Sequence, residues 1–301
     1  FAKKQPDLNM DNPKVREEVK NIMRFWLEMG VDGFREDVIT FISKRPGLPN
    51  GLPIPAACGM EHYMDGPNVH KYLKEFREVL NEYDCFVVGE APMMNEKNAL
   101  RYITEGPKQE LDMMFHFEHM EADCLFTDVF QKPFDLLKLK KAFSKWQYAL
   151  QGKGWNALYL ENHDHPRIIS RYGSEKYRVV SGKMLANCYM LQQGTPFIYQ
   201  GQELGMTNAP YELEEYQDIE IRNMAAERLA AGYSMEEVMR SIHAKGRDNA
   251  RTPMQWNDSL NAGFTTDKPW LKVNPNYTKI NVAAQENDPD SILNYYRHLV
   301  Q

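Results

Sequence analysis

The 301-residue sequence predicts an α/β fold of parallel strands covered by helices. Three features predict it. Segments of helical spacing alternate with short apolar runs as far as Glu203. The runs, such as CFVVGEAP and WNALYLENHD, are apolar almost throughout, as strands buried on both faces are. Each run also stops at charged or amide residues.

The elements follow in order. NPKVREEVKNIMRFWLEMG opens with Asn12 as cap and Pro13 at the first helical position, keeps Val15, Val19, Ile22, Met23, Trp26 and Leu27 at helical spacing, and is stopped by Gly30. GVDGFREDVITF reads as a buried strand, because Val31, Phe34, Val38 and Ile39 are branched or aromatic. A Pro/Gly-rich loop follows over residues 44–67, then the amphipathic helix VHKYLKEFREVLNEY and the strand CFVVGEAP. A helix near 95–104, a strand in ELDMMFHFE and the helix FDLLKLKKAFSKWQYAL come next. WNALYLENHD, the helix KYRVVSGKMLANCYML and the strand GTPFIYQGQE complete the alternation. After Glu203 the rhythm breaks into a charged helical insertion, YELEEYQDIEIRNMAAERL, and the loop GRDNARTPMQWNDSLNAGF. SILNYYRHLVQ is helical again, and no linker marks a domain boundary.

Composition narrows the function. A net charge of −6, with no stripe of Lys and Arg, argues against nucleic acid as partner. No apolar run reaches the roughly 18 residues of a membrane span. Cys58, Cys85, Cys124 and Cys188 lie far apart with no metal-ligand spacing, which reads as reduced thiols in a cytoplasmic protein that binds no metal. The 17 methionines read as core filler. The opening FAKKQPD reads as the interior of a longer chain.

Four charges in the middle of GVDGFREDVITF require an explanation. The runs end at Arg35 and Asp37, at Glu90, at Asn162-His163-Asp164, and at Gln200 and Gln202. In a parallel barrel such ends share one mouth, where catalytic groups gather. Residues two apart share a strand face, so Arg35 stands beside Asp37 and favours its ionised form. Acids from three strands suit glycoside hydrolysis: an ionised carboxylate that attacks or activates water, a protonated one that assists the leaving group, and a third that stabilises an oxocarbenium-like transition state. Glu90, after FVV, suits the protonated role. The competing explanation is structural, since acids at strand ends also cap helices and pair with cations. Tyr63, Phe115, Phe117 and Tyr199 either stack on sugar faces or pack the rim.

QPDLN, GVDGFREDVI, VVGEAP, ENHD and GTPFIYQGQELGMTN, in that order, resemble the α-amylase superfamily, glycoside hydrolase family 13. GRDNARTPMQWND resembles its oligo-1,6-glucosidase and dextran glucosidase branch. The resemblance covers essentially the whole chain. It implies an incomplete (β/α)8 TIM-type barrel over 1–301, roughly strands four to eight with their helices, and an insertion at 204–288 after the last strand. The first strands and the C-terminal β-sandwich would be missing. An isolated segment of that kind would expose strand edges and apolar surface, which favours aggregation and counts against activity on its own.

The resemblance also implies site roles. Asp37 matches the nucleophile, Glu90 the general acid/base and Asp164 the transition-state stabiliser. Arg35 matches the arginine that orients the nucleophile, and His163 a residue that binds sugar hydroxyls. Arg251 matches the arginine that closes on the terminal glucose, with Arg247 as its competitor. Val38, after the nucleophile, goes with α-1,6 linkages in this branch, where Thr goes with α-1,4. The implied activity is a retaining α-glucosidase acting on isomalto-oligosaccharides from the non-reducing end. An α-1,4-acting α-glucosidase and a sucrose isomerase or transglucosidase are the alternatives. FHFEHMEADCLF lacks the Arg/Asp-rich loop of the isomerases, and superfamily members without catalysis lose the acids that are present here. The mechanism needs no cofactor. The implied partner is a small oligosaccharide, with no nucleic acid or membrane, and the implied state is a monomer. Two positions depart from the family pattern. Glu36 stands where an apolar residue is usual and is expected to pair with a cation. Gln202 stands where a carboxylate is common, which would remove a charge at the mouth.

Overall fold

The computed structural model describes residues 4, 6–47, 49–54, 58–125 and 130–301. Parts of the expected 44–67 loop, Gln5 of QPDLN and Phe126 of FHFEHMEADCLF lie outside the described residues. The chain divides into two compact units, residues 1–157 with 193–195, and residues 158–192 with 196–301.

In the first unit, helix α1 (Pro13–Glu28) starts as its sequence dictates: Asn12 accepts from the Lys14 amide at 3.0 Å and Pro13 stands where no donor is needed. Strand β1 (Gly33–Glu36) follows, then α2 (Val69–Leu80), β2 (Phe86–Ala91), α3 (Glu96–Ile103) and β3 (Met113–His116). β1, β2 and β3 form one parallel sheet in that order, with Glu36 opposite Gly89 and Glu90 opposite Phe115. Gly33 is required, because a Cβ there would lie 1.9 Å from the Phe86 carbonyl oxygen. A short antiparallel pair, β4 (Cys124–Leu125) and β5 (Phe130–Gln131), precedes α4 (Leu136–Leu150). The core gathers Val69, Leu73, Phe76, Val87, Tyr102 and Trp146 between sheet and helices. His116, at the end of β3, stacks on Trp146 with ring centres 3.8 Å apart, and burial drives its imidazole well below the ordinary histidine range.

Strands β6 (Ala157–Leu158) and β7 (Thr195–Pro196) pair with each other, and the division between units runs through both. WNALYLENHD and GTPFIYQGQE were expected as full strands, yet each yields only two residues of ladder. Pro196 has no N–H to extend the pairing, and among the described residues no further strand flanks them. Among the described residues the strands form three separate sheets, none of them closed.

The second unit is helical: α5 (Ile168–Arg171), α6 (Arg178–Met190), α7 (Ile219–Ala230), α8 (Met235–Lys245), α9 (Val282–Glu286) and α10 (Ile292–Val300). α10 packs on α6 through Ile292, Tyr296 and Ala186. α7 and α8 close over Tyr216, Ile221, Val238 and Ile242. The expected insertion helix begins only at Ile219, where Asp218 accepts from the Glu220 amide at 3.0 Å. α8 was not singled out in the sequence, although Ser234 and Glu237 form a capping box at its start. Among the described residues no helix is long and apolar enough to cross a membrane.

Candidate active site

The first unit assembles two of the predicted acids around one cation. The strand does not run through GVDGFREDVITF as expected. It stops at Glu36, and Ile39–Phe41 form a 3-10 turn. Asp37 therefore stands on a turn just beyond β1, three-quarters exposed, and not on the strand face of Arg35. The turn brings it back: Arg35 Nη1 lies 2.5 Å from Asp37 Oδ1. Arg35 Nη2 lies 2.7 Å from Glu90 Oε2, and the Val38 amide donates to that same oxygen at 3.1 Å. One guanidinium thus holds both carboxylates, and parallel pairing places their strand ends on one edge of the sheet.

Their environments differ. The Glu90 side chain is 7% exposed. Burial pushes its carboxyl above the ordinary range and Asp37 adds to the rise, against the pull of Arg35 and the Val38 amide. An exposed carboxyl group beside a buried one whose proton affinity is raised is the division of labour that glycosidic cleavage requires.

Val38 joins them in a left-handed conformation, φ 43° and ψ 41°. For a β-branched residue this is costly, and it persists because the surroundings impose it. Here the imposed geometry aims the Val38 amide at Glu90.

The second unit holds the third acid. Asp164 Oδ1 lies 2.9 Å from Arg251 Nη2 and 3.4 Å from Arg247 Nη1, and Oδ2 lies 3.1 Å from His163 Nε2. Arg251 Nε also donates to the His163 carbonyl at 2.8 Å. Both arginines proposed from sequence therefore reach Asp164. Arg247 has a second engagement: Nε and Nη2 bind the two oxygens of Asp218 at 2.7 and 2.8 Å. Burial raises the Asp218 carboxyl, but hydrogen bonds from Arg247 and the Glu220 amide outweigh it and leave it below the ordinary range.

The loop carrying Asp164 is held from beneath. Asn162 Oδ1 accepts from the Asp164 amide at 2.9 Å. Buried Glu161 accepts from the Ile168 amide at 2.8 Å and from Arg167 at 3.0 Å. Arg167 also donates to the carbonyls of Gln200 and Ala250, at 2.7 and 3.3 Å. Sequence reasoning passed over Glu161, Arg167 and Asp218. Nothing in their spacing marks them, since Arg167 reaches Ala250, 83 residues away, and Asp218 reaches Arg247, 29 residues away.

The comparisons with known proteins bear on this arrangement. The model of the alpha amylase catalytic domain matches residues 1–301. The chain belongs to the alpha-amylase family.

Within that family, an oligo-1,6-glucosidase of Parageobacillus thermoglucosidasius is 54% identical over all of this chain and 55% of its own length. An oligo-1,6-glucosidase of Bacillus cereus is 51% identical at the same coverage. Among solved structures, a trehalose-6-phosphate hydrolase of Bacillus licheniformis superposes with a TM-score of 0.91 at 46% identity, over 99% of this chain and 54% of its own. An isomaltulose synthase of Klebsiella sp. LX3 does so with 0.94 at 41% identity, over 100% and 55%. The chain spans about half the length of these relatives.

Two expectations drawn from departures in the family pattern are corrected. Gln202 does not stand at a mouth as a missing charge. It is buried, and its Nε2 reaches the hydroxyls of Tyr296 and Tyr189 at 2.9 and 3.2 Å, so it serves the core. Among the described residues Glu36 makes no direct ion pair: its Oε2 is shut off from solvent without a hydrogen-bond partner, and Arg77 is the cation whose charge acts on it. The aromatics divide. Tyr63 packs edge-on against Phe41, with ring centres 5.1 Å apart. The Tyr199 hydroxyl donates to the Ala250 carbonyl at 3.0 Å while Arg167 lies over its ring.

Proposed function

We propose that the protein to which this chain belongs is a retaining α-glucosidase that hydrolyses α-1,6-glucosidic bonds of isomalto-oligosaccharides from the non-reducing end. The observation that carries the reading is the Arg35 guanidinium shared by exposed Asp37 and buried Glu90. Relatives named oligo-1,6-glucosidase, at 51–54% identity, support the linkage. The same resemblance supports reading the chain as the later strands and helices of a (β/α)8 barrel, with residues 204–288 as the insertion.

In the first step Asp37 attacks the anomeric carbon while Glu90 gives its proton to the departing glycosidic oxygen, which leaves as the sugar hydroxyl. Glu90, now ionised, takes a proton from water, whose oxygen displaces Asp37 from the anomeric carbon. Two inversions return the α-anomer. Asp164 and His163 would contact the ring as oxocarbenium character develops, and Arg251 would hold Asp164 in place. Val38, apolar and β-branched, would shape the leaving-sugar side without a hydroxyl. Such differences discriminate by only about 1–3 kcal/mol, so the linkage is a preference.

The test offers isomaltose, maltose and sucrose to the protein and follows the released sugar by proton NMR. Faster cleavage of isomaltose with α-glucose appearing first is expected. β-Glucose as first product removes the retaining mechanism. Preference for maltose removes the linkage, and conversion of sucrose to an isomer moves the protein to the transglucosidases.

A further inference from the structure

Behind the strand that leads to Asp37 lies an open apolar groove of about 560 Å³, lined by α1, β1, the 3-10 turn and α2. Glu36 is the one acidic residue in its lining. Successive residues of a strand face opposite ways, so Glu36 lies on the side of β1 away from Arg35. Its Oε2 is out of solvent and without a partner among the described residues. A cation whose charge acts on it is in the same condition among the described residues: Arg77 Nη1, on α2.

The remaining donors of Arg77 are committed. Nε reaches Asn81 Oδ1 at 3.1 Å and Nη2 reaches Asp112 Oδ1 at 3.0 Å. Asp112 Oδ2 in turn accepts from the Val87 amide of β2 at 2.7 Å. Arg77 is therefore anchored to the strand that carries Glu90, with one donor spare. A buried carboxyl and a buried guanidinium donor, each unsatisfied, are costly apart and complementary together.

We propose that Glu36 is a positioning residue for Asp37: when ionised it engages Nη1 of Arg77, tying the end of β1 through α2 and Asp112 to β2. The proposal rests on the glycosidase reading for what Asp37 does, and on the two unsatisfied buried atoms and the charge of Arg77 acting on Glu36 for the tie. The surroundings support it. The groove that Glu36 lines is otherwise apolar apart from Arg35: Val19, Met23 and Trp26 come from α1, Ile39 and Ile42 from beyond β1, and Phe76 from α2. Arg35, on its own strand, is occupied by Asp37 and Glu90. Burial raises the Glu36 carboxyl to about 7, with Arg77 pulling it down. The tie would form and release across neutral pH.

The experiment measures kcat and KM for isomaltose from pH 5 to 9 for the protein, Glu36→Gln and Arg77→Gln. The expected result is a rise in kcat through an ionisation near pH 7, with KM within about twofold. That rise is absent in Glu36→Gln and displaced to higher pH in Arg77→Gln, because the charge that favours ionisation is gone. Superposable profiles for the protein and Glu36→Gln overturn the proposal, as does an unmoved ionisation in Arg77→Gln. If Glu36→Gln does not fold, Glu36→Met, which suits the apolar lining, carries the same measurement.

A second readout separates this proposal from the glycosidase reading. The folded carboxyl sits above its ordinary 4.5, so the fold gains from the proton, and that gain is lost as pH rises from 4.5 to about 7. The melting temperature of the protein relative to Glu36→Gln should fall over that window and level off above it. A pH-independent difference overturns the proposal even if no glucoside is cleaved. The window with no cleavage overturns only the glycosidase reading.

Discussion

The two acidic centres solve opposite problems. In the first unit one guanidinium serves two carboxylates, Asp37 and Glu90. In the second, Asp164 meets two guanidinium groups, of which Arg247 also binds Asp218 and Glu220. An acid pair with too few cations holds a proton readily, which a general acid needs. The difference lies in partners and burial, since every one of these acids follows an apolar run in the sequence.

Removing the exposed member of the first centre breaks the comparison most severely. Asp37→Asn should lower kcat by several orders of magnitude with little change in KM, because an amide cannot form the glycosyl ester. Turnover within about tenfold of the unaltered protein would show that the centre is structural.

Removing the shared cation comes next. Arg35→Gln leaves Glu90 buried beside Asp37 with the Val38 amide as its remaining stabilising contact. A loss of about 3 kcal/mol is expected near neutral pH, shrinking toward acid as Glu90 takes up a proton. The alkaline limb of kcat, where Glu90 loses its proton, should move to higher pH, since Arg35 lowers the Glu90 carboxyl. Denaturant melts at pH 5 and 8 and a pH–rate profile read both.

The second centre sharpens the contrast between its arginines. Arg251 holds Asp164 at 2.9 Å and the His163 carbonyl at 2.8 Å, so Arg251→Gln should cost about 10–100-fold in kcat/KM with stability nearly intact. Arg247 spends its best geometry on buried Asp218, so Arg247→Gln should cost mainly stability, about 2–4 kcal/mol. Equal kinetic losses with equal melting temperatures would mean that the two are interchangeable.

The smallest effect is expected at Val38. Val38→Thr keeps the branch at Cβ and adds a hydroxyl, which should shift the isomaltose-to-maltose ratio toward maltose by about tenfold. An unchanged ratio would place linkage selection elsewhere.

Much of this was legible before the fold. Asn12, Pro13 and the spacing from Val15 to Leu27 specify α1, because caps and helical periodicity act within a few residues. FVVGE specifies β2 for the same reason. Arg35, Asp37, Glu90 and Asp164 could be nominated because each follows an apolar run. The errors fall where a distant partner decides. The strand through GVDGFREDVITF was overextended because periodicity does not register the left-handed Val38. Two expected strands shrank to two residues each, since a ladder needs a neighbour as well as propensity. Gln202 lies in the core and not at a mouth because Tyr296, 94 residues away, sets its surroundings.

By itself the sequence determined elements such as α1 and β2 and the family, and nominated the acids, because residue type and short-range spacing are sufficient for those. Only the tertiary structure decided that Arg35 is shared, that Glu90 is buried while Asp37 is not, that two arginines converge on Asp164, and that Glu36 Oε2 and Arg77 Nη1 are each buried without a partner among the described residues. Charge acts through space, and folding brings together groups that the chain keeps tens of residues apart.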